Sequence, residues 1–300
     1  MTNSKGLFML FKYKVEPQDD STKIEKFLAS KISSLSQIHI ARLIKEGACE
    51  IDGETALFKQ RIKQGNEICF QVEEIIPNSM TPENIPLEIV YEDETILIVV
   101  KPSGMLVHPT VSVKTGTLLN ALAYYVNRIR DETNFIRPGL VHRLDRNTSG
   151  LMVITKTSEA LSFLMSHFRR KLVRKIYLAI VEGNVAQDEM TIVAPIGRDE
   201  TQKPKWNVRE NGKESETRLR VLERKENITL VELQPITGRT NQLRIHCSHI
   251  CHPIVGDDLH GGKIHSRLCL HAALLEFYHP VTNERISFSS LLPDEIADLL

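Results

Sequence analysis

Several signatures that would announce a function are missing from this chain. It has no G-x-G-x-x-G, no phosphate-binding P-loop and no H-E-x-x-H, so dinucleotide, nucleoside-triphosphate and metalloprotease readings have no support. No run approaches the ~20 apolar residues needed to span a bilayer. The opening "MTNSKGLFMLFKYKVEP" is apolar only briefly; Lys12 and Lys14 break it and no small-residue cleavage site follows, so no secretory leader is expected. Cysteine is sparse and odd in number: Cys49, Cys69, Cys247, Cys251 and Cys269. Without a leader they point to reduced thiols and a cytoplasmic protein rather than a disulfide frame. Net charge is also absent, since 38 Lys and Arg balance 38 Asp and Glu. Global electrostatics therefore announce no nucleic-acid partner, and any basic surface must be local.

What is present is an ordinary globular composition, 41% hydrophobic and 25% charged over 300 residues, enough for one large domain or two smaller ones. Residues 77–86, "PNSMTPENIP", carry three prolines and read as a linker between a small unit, 10–76, and a large one, 87–300. In the small unit, "STKIEKFLASKI" offers Thr22 and Glu25 as a capping box ahead of a helix. A second helix, "SQIHIARLIKEG", has Ser36 as its cap, Ile40, Leu43 and Ile44 as its apolar face, and Gly47 at its C-terminal stop. Asp52-Gly53 reads as a tight turn between short strands, and "GNEICFQVEEI" as another strand.

The large unit opens with two strands, "LEIVYEDETILIVVKPSG", joined by an acidic turn at 92–94. "TGTLLNALAYYVNRI" and "SEALSFLMSHFRR" read as helices, the latter capped by Ser158. "GLVHRLD", "GLMVITKT", "RKIYLAIVEG", "ETRLRVLERKENITLVELQPIT" and "RISFSS" read as strands, and "GRTNQLRIHCSHI" as helical after Gly238. Strands dominate without a βαβ rhythm, which implies an α+β protein on a mixed sheet rather than a doubly wound fold.

Four clusters compete for a function. In "HRLDRNTSG", Asp145 lies between Arg143 and Arg146. It is either a salt-bridged loop residue or a nucleophile or base kept ionised by cations that lower its pKa, with Thr148 to Gly150 forming a turn whose donors lie near the carboxylate. In "TGRTNQLRIH", Arg239 and Arg244 could each grip a carboxylate or phosphate, or form a solvated basic face; Arg244, between Leu243 and Ile245, suits partial burial with an acidic partner. "FRRKLVRKIY" is acid-free and either tracks phosphates or ends a helix in solvent. "HCSHICH" invites a zinc reading, although no second ligand pair stands at standard spacing elsewhere; Cys247 and Cys251 then read as packed, helix-facing residues.

Together these motifs resemble the RluA/RluD-type pseudouridine synthases. "GLVHRLDRNTSGLMVITKT" is similar to the family's central motif. "VYEDETILIVVKPSGMLVHP", "RKIYLAIVEG", "ITGRTNQLRIH", "HPIVGD" and "RLCLHAALLEFYHP" resemble the surrounding motifs, in order, from about residue 87 onward. The small unit resembles the RNA-binding domain named for ribosomal protein S-four. Three positions depart from the family pattern: Asn241 replaces a common histidine, Cys251 a usual glycine and His260 a frequent tyrosine.

The resemblance implies a large, mainly antiparallel mixed sheet preceded by a small α/β RNA-binding domain. It implies an isomerase that converts uridine to pseudouridine in structured RNA, most readily large-subunit ribosomal RNA, with no cofactor and no metal. Asp145 would be the catalytic carboxylate, attacking the anomeric carbon or helping to remove the neighbouring ribose proton. Arg244 would orient it and hold its charge, a pair that costs about 3–5 kcal/mol to break if desolvated. Tyr177 would lie against the uracil ring. Arg143 would insert where the flipped nucleotide left its stack. Arg146, Arg169, Arg170, Lys171, Arg174 and Arg239 would contact RNA, as would Arg42 and Lys45 from the small unit. A monomer without membrane association is expected. Two other readings remain at this level: a non-catalytic RNA-binding or ribosome-assembly factor, and a zinc protein built on "HCSHICH".

Overall fold

The computed structural model describes residues 8–32, 35, 37–73, 81–128, 138–198 and 206–300. The first part of the chain forms a four-stranded antiparallel sheet from β1 (Phe8–Lys14), β2 (Cys49–Ile51), β3 (Glu54–Thr55) and β4 (Glu67–Glu73), in the order β1-β4-β2-β3. Helices α1 (Ile24–Lys31) and α2 (Gln37–Lys45) close its core. Ile24, Phe27, Leu28, Ile40, Leu43 and Ile44, the residues with helical spacing, are all buried there with Ile68 and Phe70. Gly47 stops α2 at φ +85°, and Asp52-Gly53 turn at +53° and +82°, the left-handed pair that a two-residue hairpin requires. Thr22 does not cap α1. The cap position is Lys23, with no side-chain bond, because the Thr22 carbonyl accepts from Ile62 N–H and holds the chain one residue short of a capping box. The expected cap at Ser36 lies outside the described residues, as do residues 77–80 of the linker. The rest of that linker is tied down: Asn120 Nδ2 donates to the Thr81 carbonyl, and Gly116 N–H to Glu83.

The large sheet contains β5 (Glu88–Glu92), β6 (Ile96–Lys101), β7 (Gly139–Leu140), β8 (Ser149–Thr155), β9 (Arg174–Glu182), β10 (Glu189–Val193), β13 (Glu216–Arg224), β14 (Ile228–Pro235), β15 (Leu270–Tyr278) and β16 (Arg285–Ser289). Its order is β10-β13-β14-β9-β15-β8-β6-β5, with β16 on β15 and β7 on β8. A two-stranded ribbon, β11 (Ile196–Arg198) with β12 (Trp206–Val208), stands apart. Helices α3 (Leu118–Asn127), α4 (Ser158–Arg169), α5 (Gln242–His249) and α6 (Asp294–Ala297) complete the unit. This is the mixed, mainly antiparallel α+β architecture expected. The strand expected over "GLVHRLD" shrinks to β7, and Thr157 rather than Ser158 caps α4 by accepting from Ala160 N–H.

Strands β6 and β8 read as unbroken apolar runs because helices cover both their faces. Leu97, Val99, Met152 and Ile154 pack toward α3, whereas Ile96, Ile98, Leu151 and Val153 pack toward α4. Each such side chain stabilises by about 1.5–3 kcal/mol on full burial. In β13 and β14 alternate residues are buried, and Val231 and Leu233 meet Leu243 of α5. A register row then links the halves: Gly150 of β8 pairs in parallel with Ala272 of β15, which pairs with Tyr177 of β9. Gly150 sits at φ +120°, and a Cβ there would collide with the backbone of Ala272. Gly150→Ala is therefore expected to cost more than about 4 kcal/mol, read as loss of soluble folded protein or a collapsed denaturation midpoint.

Candidate active site

Residues 141–148 form an irregular crossing between β7 and β8, anchored by buried Leu144 and Thr148. The turn proper is Arg146-Asn147, and Thr148 N–H donates to the Asp145 backbone carbonyl at 3.2 Å. The expected turn at Thr148 to Gly150 is thus displaced: Ser149 and Gly150 already belong to β8, and Thr148 N–H serves the backbone rather than the carboxylate. The crossing is laced to the segment after β6. Lys101, fully buried, donates from Nζ to the carbonyls of Pro102, Met105 and Arg146 at 2.7, 2.9 and 3.0 Å. Burial pushes its pKa down to about 7, while three carbonyl acceptors match the three N–H bonds of the ammonium form. Ser103 Oγ donates to the Asn147 carbonyl, and Arg146 Nε to the Gly104 carbonyl at 2.9 Å. Beneath the crossing, Ser149 Oγ is hydrogen-bonded to His271 Nδ1 at 2.8 Å and accepts from Arg267. Burial, then the Arg267 charge, hold His271 down at about 4, so it stays neutral at physiological pH.

The second wall is α5. Gln242 clamps its approach loop, accepting from Thr237 Oγ1 at 2.7 Å and Arg239 N–H at 3.0 Å while donating to the Glu216 carbonyl at 2.9 Å. Asn241 takes the left-handed conformation at φ +54°, which asparagine tolerates better than most residues, so the departure from histidine costs little geometry. Arg244 is buried and has the acidic partner its setting suggested, Asp257, which accepts from Nε at 2.7 Å and Nη2 at 2.5 Å. The Arg244 fork is taken by Asp257; among the described residues it makes no hydrogen bond to Asp145 and acts on it as a nearby positive charge. At the far end of α5, His252 N–H bonds the Cys247 carbonyl and Cys251 N–H the Ser248 carbonyl, a Schellman stop that puts Cys251 at φ +63°. Hence the usual glycine there. Cys251 is exposed, not packed as expected, and the His260 backbone N–H rests on Asp257.

These walls enclose a cleft of ~880 Å³ lined by Arg143, Asp145, Tyr177, Arg239 and Arg244 together. Arg169, Lys171 and Arg174 line it too, whereas Arg146, Arg170, Arg42 and Lys45 do not. Arg146 is spent on Gly104, which answers why two arginines flank the aspartate: only Arg143 faces the cleft. Arg42 and Lys45 are exposed on α2, Lys45 lying 4.5 Å from the centre of the Phe58 ring.

Asp145 departs from expectation in its ionisation. Burial raises its pKa, and this outweighs the opposing fields of Arg244, Arg143 and Lys101. No hydrogen-bond donor among the described residues reaches its carboxylate. Tyr177 is shifted up by burial first and by the Asp145 charge second, so it remains a neutral phenol. Missed from sequence were Lys101, Asp257, Gln242 and His271. Asp257 stood only within the run "HPIVGD", beside a second acid, Asp258, and no local pattern singled out any of the four.

The zinc reading loses its ligands. His246 bonds Thr217 Oγ1 at 2.9 Å and the Ala194 carbonyl at 3.0 Å, and burial pushes the Cys247 thiol up to about 12. Among the described residues no group of three or more His, Cys, Asp or Glu is placed to hold a metal, and no helix is long and apolar enough to cross a membrane.

Comparison with known proteins agrees with this geometry. The family model for RNA pseudouridylate synthase matches residues 95–249. The chain is 38% identical over 294 residues to the ribosomal large subunit pseudouridine synthase D of Pseudomonas aeruginosa, covering 93% of this chain and 91% of that one. It is 36% identical over 286 residues to the uncharacterised RNA pseudouridine synthase YlyB of Bacillus subtilis, covering 94% of each. Among solved structures, human RNA pseudouridylate synthase domain containing 1 superposes with a TM-score of 0.58 at 30% identity, over 71% of this chain and 85% of that one. The chain belongs to the RNA pseudouridine synthase family. It is an isomerase that turns uridine into pseudouridine in RNA.

The raised Asp145 pKa carries a cost in stability. The folded protein holds this proton more tightly than the unfolded chain, so stability falls as pH rises from below the ordinary carboxyl value through the raised one, and stays reduced at neutral pH. Asp145→Asn cannot ionise. It is expected to denature at a higher temperature than the native protein at pH 7, with the gap closing as pH falls below about 4; a less stable variant at pH 7 would show the cations to dominate.

Proposed function

We propose that the substrate is large-subunit ribosomal RNA and that Asp145 is the reacting carboxylate. The names of the relatives support the substrate: the matching enzymes of Pseudomonas aeruginosa and Xanthomonas campestris are ribosomal large subunit pseudouridine synthases D. The observation that carries the catalytic reading is a desolvated carboxylate with no hydrogen-bonded protein partner among the described residues, at the floor of a cleft rimmed by arginines. A structural aspartate in that setting would be paired. One waiting for an electrophile would not.

The target uridine leaves its stack to enter the cleft. Asp145, made more basic by burial, either attacks the anomeric carbon or assists removal of the neighbouring ribose proton, and the glycosidic bond opens. The base turns and rejoins through carbon 5. Tyr177, a neutral phenol, lies against the ring and holds the base in place while its carbon 5 proton is lost to solvent water. Arg244, locked by Asp257, is a fixed positive charge beside the site, able to stabilise the carboxylate or the freed uracil without moving. Arg143, exposed at the rim, fills the gap left by the base, and Arg169, Arg170, Lys171, Arg174 and Arg239 meet the phosphate backbone, whereas Arg146, bonded to the Gly104 carbonyl, braces the crossing. The enzyme acts as a cytoplasmic monomer; its five free thiols are consistent with a reducing compartment.

RNA carrying tritium at uracil carbon 5, transcribed without modification from large-subunit genes, provides the test. The native enzyme is expected to release tritium. Asp145→Asn is expected to lose at least about a thousand-fold in rate while binding the RNA nearly as well; retained release would refute the assignment.

Residues 10–76 serve, in this proposal, as a separate RNA-binding domain of the S-four type, with Arg42 and Lys45 on its gripping helix. A sheet and core of its own support that division. Removing residues 1–80 is expected to weaken RNA binding and flatten its salt dependence while sparing turnover of bound RNA. A truncated protein that folds but cannot convert saturating RNA would place part of the catalytic machinery in that domain.

A further inference from the structure

The cleft is longer than one flipped nucleotide requires. Ala272 of β15 is level with Tyr177, and Tyr278 ends the same strand. At about 3.3 Å per residue the two positions are ~20 Å apart, yet Tyr278 lines the same cleft as Asp145. Tyr278 and Leu172 are 36% and 41% exposed there, in a unit that buries most of its large apolar side chains. The His167 ring lies tilted beside that of Tyr278, with centroids 6.1 Å apart. Arg285 is Tyr278's cross-strand partner. Arg285 and Arg174 both reach Glu276, Arg174 at 3.8 Å. One acid therefore orients two guanidiniums and neutralises only half their charge, while their side chains stay 62% and 46% exposed.

An exposed ring flanked by surplus cations is the chemistry that takes an unpaired nucleotide: a π-face for the base and guanidiniums for its phosphate. We infer that Tyr278, Leu172, Arg174 and Arg285 form a second nucleotide subsite, which stacks one unpaired base of the same RNA at a distance from the target uridine. The subsite helps to choose the substrate without touching the reacting atoms. It rests on the reacting centre being at Asp145 and Tyr177, since the distance is counted from the sheet row that carries Tyr177.

A short synthetic RNA that the enzyme converts is bound to the full-length protein, and its affinity is read directly by fluorescence anisotropy. Abasic nucleotides are placed singly within about six positions on either side of the target, the span of ~20 Å for a stacked strand. With the native protein, one or two abasic positions are expected to weaken binding about ten-fold. Tyr278→Ala is expected to bind intact RNA about ten-fold more weakly and to ignore those same positions, while Tyr278→Phe, which keeps the ring, behaves as the native protein does. Turnover of saturating RNA should be unchanged in both. The inference is overturned if Tyr278→Ala binds intact RNA as the native protein does, if it stays equally sensitive to every abasic position, or if its saturated turnover falls with affinity unchanged. Because binding is read apart from turnover, any of these leaves the Asp145 assignment standing. Activity retained by Asp145→Asn would show the reverse.

Discussion

The site depends on one row of the large sheet. Gly150, Ala272 and Tyr177 stand side by side across β8, β15 and β9, and the approach is close enough that Gly150 has no room for a side chain. That row fixes the distance between the Asp145 crossing and the tyrosine. The rest of the molecule serves to keep it rigid. Helices on both faces clamp β6 and β8, Lys101 ties the crossing to the loop in front of it, and Arg267 with His271 ties it from below. A carboxylate can be left desolvated and unbonded only if its surroundings cannot rearrange to solvate it.

Charge in the cleft follows a division of labour. Arg244 and Asp257 cancel one another in the interior, which makes the guanidinium immobile rather than attractive at long range. The exposed cations stand at the rim instead, where Arg143, Arg169, Lys171 and Arg174 line the cleft. A chain with no net charge can thus still present a locally cationic cleft.

Much of this was legible in the residues. Helical spacing marked the core faces of α1 and α2, Gly47 and Asp52-Gly53 marked their turns, and the flanking apolar residues of Arg244 called for a buried acid. The failures are physical. Arg143 and Arg146 look equivalent beside Asp145, yet the turn at Arg146-Asn147 sends one to the cleft and the other to Gly104. Reading both as neighbours of the carboxylate suggested a lowered pKa; desolvation, a property of the whole fold, decided the opposite. Asp257 meets Arg244, and Lys101 meets the Arg146 carbonyl, only after the chain has folded back, so no local pattern exposes those contacts. The ribbon β11–β12 was missed because three-residue strands carry too little alternation to register. The specific order of motifs from residue 87 onward carried the functional reading where spacing alone left it open.

The placement of β15 has a consequence for how the enzyme comes into being. Asp145 lies just ahead of β8 and Tyr177 lies on β9, but these two strands do not pair with each other; residues 270–278 are inserted between them. A nascent chain that has already exposed both residues to solvent holds them without a fixed relation. Only when the late strand has slotted between its elders is the spacing of the two side chains set. The fixed relation of Asp145 to Tyr177 thus waits on a strand far later in the chain, an order set by topology.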